Sequence, residues 1–184
     1  MFKEGLRPAW VEIDLKALEN NVKIIQSRVS PGSQICGIVK ANAYGHGVLE
    51  CVRVMRRNGI STFGISTLSE AVQLREAGIE DRIIMLGLTP EMYVDTVVEY
   101  DIMTGFTDIS YARALSAEAV KRGKTMEVWG IVDTGMGRIG YQAKDPQAIE
   151  EIYAVSKMPG LKLAGIFSHF STSDFEDRSY ADKQ

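Results

Sequence analysis

The sequence predicts an α/β protein built as a (β/α)8 TIM-type barrel, present only in part. About six of the eight βα units fit into its 184 residues, where a whole barrel takes about 250. Three observations carry this expectation. Short apolar runs alternate with amphipathic stretches along the chain, the pattern of repeated strand–helix units. Many of those runs are nearly continuous in apolar residues, as in parallel strands covered by helices. The fingerprint G-x-G-x-x-G of an open dinucleotide-binding sheet does not follow the first strand, and there is no P-loop. Reactive side chains stand instead at several strand ends, where barrel active sites collect.

Taken in order, 9–14 (AWVEID) reads as a short strand. Asp14 then caps a helix whose apolar face carries Leu15, Leu18, Val22 and Ile25. Residues 34–41 (QICGIVKA) read as the first barrel strand and 46–59 as a helix ending at Gly59. A second strand covers 61–67, and a helix follows over 67–78. Thr67 and Glu70 form its capping box and Gly78 its stop. Residues 82–87 are a third strand. Thr89-Pro90-Glu91 opens the next helix, with proline at the first helical position, where its missing N–H costs nothing. The pattern continues with strands at 102–108, 126–135 and 161–170 and helices at 110–123 and 146–158. The last residues, DRSYADKQ, are polar and helical without a stop signal. The expectation is one partial barrel domain, 1–184, that reads as cut.

Composition excludes several classes of function. Net charge is −3 and the 21 Lys and Arg are scattered, so no nucleic-acid partner is expected. No apolar run approaches the roughly 18 residues of a membrane span, and the N-terminus lacks the apolar core of a secretory signal. Cys36 and Cys51 are the only cysteines, which reads as two reduced thiols in a cytoplasmic protein. Two histidines without acidic or thiol partners at ligand spacing argue against a metal site.

The stretch VKANAYGHG, 39–47, singles itself out. Lys40 ends an apolar strand, and alternation puts it on one face with Ile38 and Cys36. If that face is the barrel interior, the amine points into the mouth of a pocket. Burial lowers the pKa of a lone ammonium and makes it a nucleophile for carbonyls. By position alone, a lysine reaching out to solvent is the better reading. The residues that follow shift the balance: two alanines keep the pocket floor small, and Tyr44 can offer its phenol to an anion. His46 reads as a loop or cap residue.

VKANAYGHG resembles the lysine motif of the alanine racemase family, which attaches pyridoxal 5′-phosphate (PLP) to that lysine. VEIDLKALENNV, STLSEAVQLREAGI, DTGMGRIG at 133–140 and SHFSTSD at 168–174 agree with the same family, in order and at fitting spacing over nearly the whole chain. The resemblance implies that Lys40 carries the cofactor covalently and exchanges the Cα proton on one face. It implies that Tyr44 bonds the cofactor phosphate and that Arg138 meets the cofactor phenolate oxygen and the substrate carboxylate. Met136 would supply backbone near the substrate. His169 would position an arginine facing the pyridine nitrogen, and Asp174 stands open between an access route and a solvated acid.

Two departures from the family pattern stand out. Many members carry a lysine, carbamylated and bonded to the arginine, where this chain has Ile131. The other departure is length. The resemblance implies that later strands, a C-terminal β-domain and its catalytic tyrosine lie beyond Gln184, so the chain alone is expected to be inactive. The expected function is interconversion of L- and D-alanine for bacterial peptidoglycan, in a homodimer, with alanine as the small-molecule substrate. The alternatives are a PLP-binding barrel without turnover, a serine or broad-specificity racemase, and a fragment that never closes its barrel.

Overall fold

The computed structural model describes residues 9–184. Helix α1, Leu15–Gln26, starts at Asp14, whose carboxylate accepts the amides of Lys16 and Ala17. Then come β1 (Gly37–Ile38), the short turn α2 (Lys40–Tyr44) and α3 (Val48–Arg57). The pairs β2 (Thr62–Ile65) with α4 (Leu68–Glu76) and β3 (Arg82–Met85) with α5 (Val94–Glu99) follow. Next are β4 (Thr104–Phe106), α6 (Ile109–Lys121), β5 (Met126–Asp133) and β6 (Tyr141–Gln142). The chain continues through α7 (Pro146–Ser156), β7 (Leu161–Phe167) and α8 (Ser179–Lys183).

Strand order decides between the two α/β architectures. β1 pairs parallel with β2, β2 with β3, β4 with β5, and β5 with β7. A parallel bridge between Ile84 and Met103 joins the two groups, flanked by bonds from the Met85 amide to the Met103 carbonyl and from Met103 to Ile83. Each long strand therefore lies beside its predecessor in sequence, with no point where the order reverses. A doubly wound sheet needs such a reversal; an arc of a (β/α) barrel does not. The barrel expectation holds, as an incomplete arc.

Register assigns the faces. Val39, Phe63, Ile65, Ile83, Met85, Phe106, Met126 and Val128 are buried and pack with Val52, Leu74, Val97, Leu115 and Val155 from the helices. The opposite, concave face carries Ile38, Gly64, Leu86, Gly105, Trp129 and Ile131. A Cβ on Gly64 would meet Ile38, Leu86 and Cys36, and one on Gly105 would meet Ile131 and Trp129. At its N-terminal end, Glu127 pairs with both Arg82 and Lys162, each at 2.8 Å. Those cations hold its carboxyl below the usual range, the Lys162 bond first.

Four local expectations need correction. Residues 9–14 form no strand; Trp10 and Val11 are 72% and 80% exposed, and no neighbouring strand takes up their backbone. The 34–41 strand shrinks to Gly37–Ile38, because the chain turns at Lys40. Pro90 precedes a 3₁₀ turn, Glu91–Tyr93, and does not sit inside a helix; its ψ of 143° is extended. The strand expected at 161–170 ends at Phe167, which leaves His169 beyond the sheet. The capping box held: the Glu70 amide donates to the Thr67 hydroxyl, and the Glu70 carboxylate accepts the Thr67 amide. No helix among the described residues is long and apolar enough to cross a membrane.

Candidate active site

Two segments at the C-terminal ends of β1 and β5 carry most of the residues singled out above. The first begins where Val39 ends the strand, its amide bonded to the Gly64 carbonyl of β2. From Ala41 to Tyr44 the backbone then runs left-handed, with φ between 52° and 54° at four residues in succession, none of them glycine. Left-handed helical backbone costs roughly 1–2 kcal/mol per L-residue. Such strain survives only where the surroundings hold it.

The surroundings are on hand. The Ala41 amide donates to Glu70 Oε1 at 2.6 Å. Asn42 Oδ1 accepts the Val48 amide at 2.8 Å and so caps α3. His46 Nδ1 lies 2.9 Å from the Ala43 carbonyl and 3.2 Å from that of Tyr44. Gly45, at φ 85°, closes the turn with its amide on the Ala41 and Asn42 carbonyls. His46 is thus a turn cap, as read from the sequence.

Lys40 stands half-buried at the start of this turn, between the enclosed pocket position and the solvent-reaching one that the sequence left open. Its Nζ lies 6.0 Å from the centre of the Tyr44 ring, a loose cation–π approach. No hydrogen bond or ion pair holds the amine among the described residues. Tyr44 is 61% exposed, so its phenol is open to solvent and not packed in the core.

The second segment, 133–140, is built around one carboxylate. Asp133 is buried, and its Oδ1 accepts the amides of Gly135 (2.9 Å) and Gly137 (3.0 Å). The Gly137 and Gly135 amides hold its carboxyl below the usual range. At Gly140, with φ 124°, a Cβ would come within 2.7 Å of the Asp133 nitrogen and 2.9 Å of the Ile131 oxygen, so the loop returns along β5 only with glycine there. The return makes β6, a two-residue parallel pairing that periodicity did not suggest. From outside, the Tyr180 hydroxyl donates to the Gly135 carbonyl at 2.7 Å, and Thr134 meets Ser168 at 2.8 Å.

Arg138 is exposed on this loop, and among the described residues it makes neither ion pair nor hydrogen bond. Met136, Arg138 and His169 line one small cavity with Ile131, Asp133 and Phe167. The structure thus brings the arginine, the methionine and the histidine together. His169 is exposed, so it is no core histidine. Ile131 is fully buried on the concave face, and an alkyl side chain there offers Arg138 no hydrogen bond. Asp133 shapes the arginine loop instead. Lys40 and Tyr44 stand at the same rim of the sheet but do not line that cavity. Asp174 is exposed in the segment after β7.

Sequence reasoning missed the hand of the 41–44 turn, the span of Glu70 to Ala41 and the clasp by Tyr180. Only Glu70 left a signal, as half of a capping box.

A family model described as alanine racemase, N-terminal domain, matches residues 13–184. The chain is 42% identical over 181 residues to the alanine racemase of Clostridium novyi, covering 98% of this chain and 46% of that protein. Among solved structures, the alanine racemase of Clostridium difficile 630 in complex with cycloserine superposes with a TM-score of 0.93 at 30% identity, covering 97% of this chain and 49% of that one. The histidine racemase of Leuconostoc mesenteroides subsp. sake superposes at 0.85 with 30% identity, over 97% and 48%. The chain spans about half the length of the curated relatives it matches.

Proposed function

The chain belongs to the alanine racemase N-terminal domain family, and from that premise we propose that residues 1–184 are a PLP-binding partial barrel domain of an enzyme interconverting L- and D-alanine. One observation carries the reading: an amine, a phenol and a guanidinium stand at the C-terminal ends of the parallel strands β1 and β5, on loops fixed by specific hydrogen bonds. The donor set fits the cofactor. A primary amine suits its aldehyde, a phenol its phosphate, and an arginine fork its phenolate or a substrate carboxylate.

When bound, PLP supplies an electron sink that acidifies the substrate Cα–H. The chain's own residues do the rest. Lys40 holds the cofactor and carries the proton to or from one face of Cα. Tyr44 donates its hydroxyl to the phosphate. Arg138 binds the substrate carboxylate in a planar fork, with the Met136 backbone alongside. His169 orients a cationic group toward the ring nitrogen. The opposite face of Cα needs a second proton carrier; we assign it to a tyrosine of a C-terminal β-domain, acting across a homodimer. Free Cys36 and Cys51 suit the cytoplasm. The 42% identity to the alanine racemase of Clostridium novyi, and the closer superposition on the Clostridium difficile alanine racemase (TM-score 0.93) than on the histidine racemase (0.85) at equal identity, support alanine as substrate.

Borohydride reduction of the whole protein with PLP, followed by peptide mapping, should place the label on Lys40. Label on another lysine removes the assignment. D-alanine formation from L-alanine, run beside L-serine and L-histidine, tests the substrate.

A further inference from the structure

Glu70 does more than cap a helix. As the third residue of α4, its carboxylate belongs to the capping box with Thr67, and that role needs only one of its oxygens. Oε2 fills it, accepting the amides of Ser66 (2.8 Å) and Thr67 (3.0 Å). The other oxygen faces away from α4, across to the neighbouring strand end, and takes the Ala41 amide at 2.6 Å. Nothing in helix capping calls for that bond, which joins residues 29 apart in sequence.

The Ala41 amide is the first of the left-handed run. The turn's internal bonds begin later, from Ala43 to Val39 and from Gly45 to Ala41, so this N–H has no carbonyl of its own. An unpaired amide at the point where the backbone changes hand would leave right-handed alternatives open at little cost. Those alternatives swing the Lys40 amine and the Tyr44 ring to other directions. The charge is available to hold the bond: burial works to raise the Glu70 pKa, but the Ser66, Ala41 and Thr67 amides together outweigh it and lower it.

We propose that Glu70 is a positioning residue for Lys40, its carboxylate tying the strained 41–44 turn to the start of α4. The proposal rests on the reading of Lys40 as the cofactor lysine. It assigns Glu70 no contact with substrate or cofactor.

The test compares Glu70→Gln with Thr67→Ala in the whole protein. A glutamine side chain has one acceptor oxygen, so it cannot serve both Ala41 and α4. Thr67→Ala weakens the same helix cap without touching Ala41. Two readouts apply: amide hydrogen exchange of the peptide 40–47, and PLP affinity followed by visible absorbance with borohydride labelling of Lys40. Glu70→Gln should speed exchange in that peptide about tenfold and weaken PLP binding about tenfold, equivalent to about 1.4 kcal/mol. Thr67→Ala should leave both near wild type. Equal losses in the two variants, or none in Glu70→Gln, overturn the proposal. Should Glu70→Gln not fold, Glu70→Asp decides: it keeps the charge at α4 but falls short of Ala41, and wild-type behaviour there overturns the idea as well. If wild-type protein labels a lysine other than Lys40, the cofactor reading fails, and exchange at 40–47 still judges the hold of Glu70 on the turn.

Discussion

The turn at 40–47 and the loop at 133–140 both leave the C-terminal end of a parallel strand and both present a cation, yet their backbones are secured differently. The first runs through four left-handed non-glycine residues and is tied down by three side chains, Glu70, Asn42 and His46, one of them from the next βα unit. The second uses glycine at its crowded return and wraps two amides around Asp133, a residue of its own strand. The first device is strained and braced from a distance. The second has no left-handed non-glycine residue and is held mainly by its own strand's Asp133, with Tyr180 and Ser168 added from outside. The contrast suits the proposed roles: a lysine bonding one carbon atom needs the stricter placement, and an arginine meeting a carboxylate through a fork tolerates a softer mount.

The largest effect should come from the cation of the strained turn. On the proposed roles, Lys40→Ala removes both the attachment point and one proton carrier, so D-alanine production by the whole protein should fall at least about 10²-fold. Peptide mapping should then find no specific borohydride label. Retained turnover would place the chemistry elsewhere and dissolve the contrast between the two segments.

Arg138→Lys comes next. It keeps the charge but loses the planar fork. In the whole protein kcat/KM should drop more than about tenfold, or about 1.4 kcal/mol of transition-state stabilisation. An unchanged value would leave Arg138 an exposed arginine with no role in binding, and the 133–140 loop without a chemical task.

Two glycine replacements sharpen the comparison through stability. Gly140→Ala drives a Cβ into the β5 backbone at a positive φ, and urea unfolding should show a loss of about 2 kcal/mol. Gly45→Ala also sits at positive φ, but nothing lies within 4 Å of its would-be Cβ. Its loss should be smaller, about 1 kcal/mol. The reverse order would mean that the turn is the tighter of the two in packing as well as in strain.

The smallest effect is acid sensitivity. The Asp133 carboxyl is held below its usual range by the Gly137 and Gly135 amides. A depressed folded-state pKa gives stability that is complete above the unfolded value. It is lost as pH falls through about 4 toward the lower folded value. Asp133→Asn should therefore flatten the acid limb of a stability–pH curve and lower the plateau near neutrality, leaving that plateau's slope unchanged. An acid limb identical to wild type would show that Asp133 does not hold the loop by charge.

Local sequence carried a good part of this molecule. Asp14, Thr67 with Glu70, and the alternating runs from Thr62 to Phe167 announced caps, helices and strands, because each signal acts between residues a few positions apart. Lys40, Tyr44, Met136, Arg138 and His169 were legible as residue types at strand ends. Segment 9–14 shows the limit: AWVEID has strand character, but a strand exists only where a neighbour accepts its backbone bonds, and no such neighbour is present among the described residues.

What the sequence by itself determined, then, was periodicity, capping and the chemical inventory of the strand ends. Tertiary structure decided the hand of Ala41-Asn42-Ala43-Tyr44, which no local preference favours, since L-residues incline to the right-handed form. It also decided that His169 and Arg138 share a cavity and that Tyr180 clasps Gly135 from 45 residues away. The physical reason is the same in each case. A strained or exposed backbone keeps its shape only through partners brought close by the packing of the sheet, and those partners are set by strand order and register, not by neighbours in the chain.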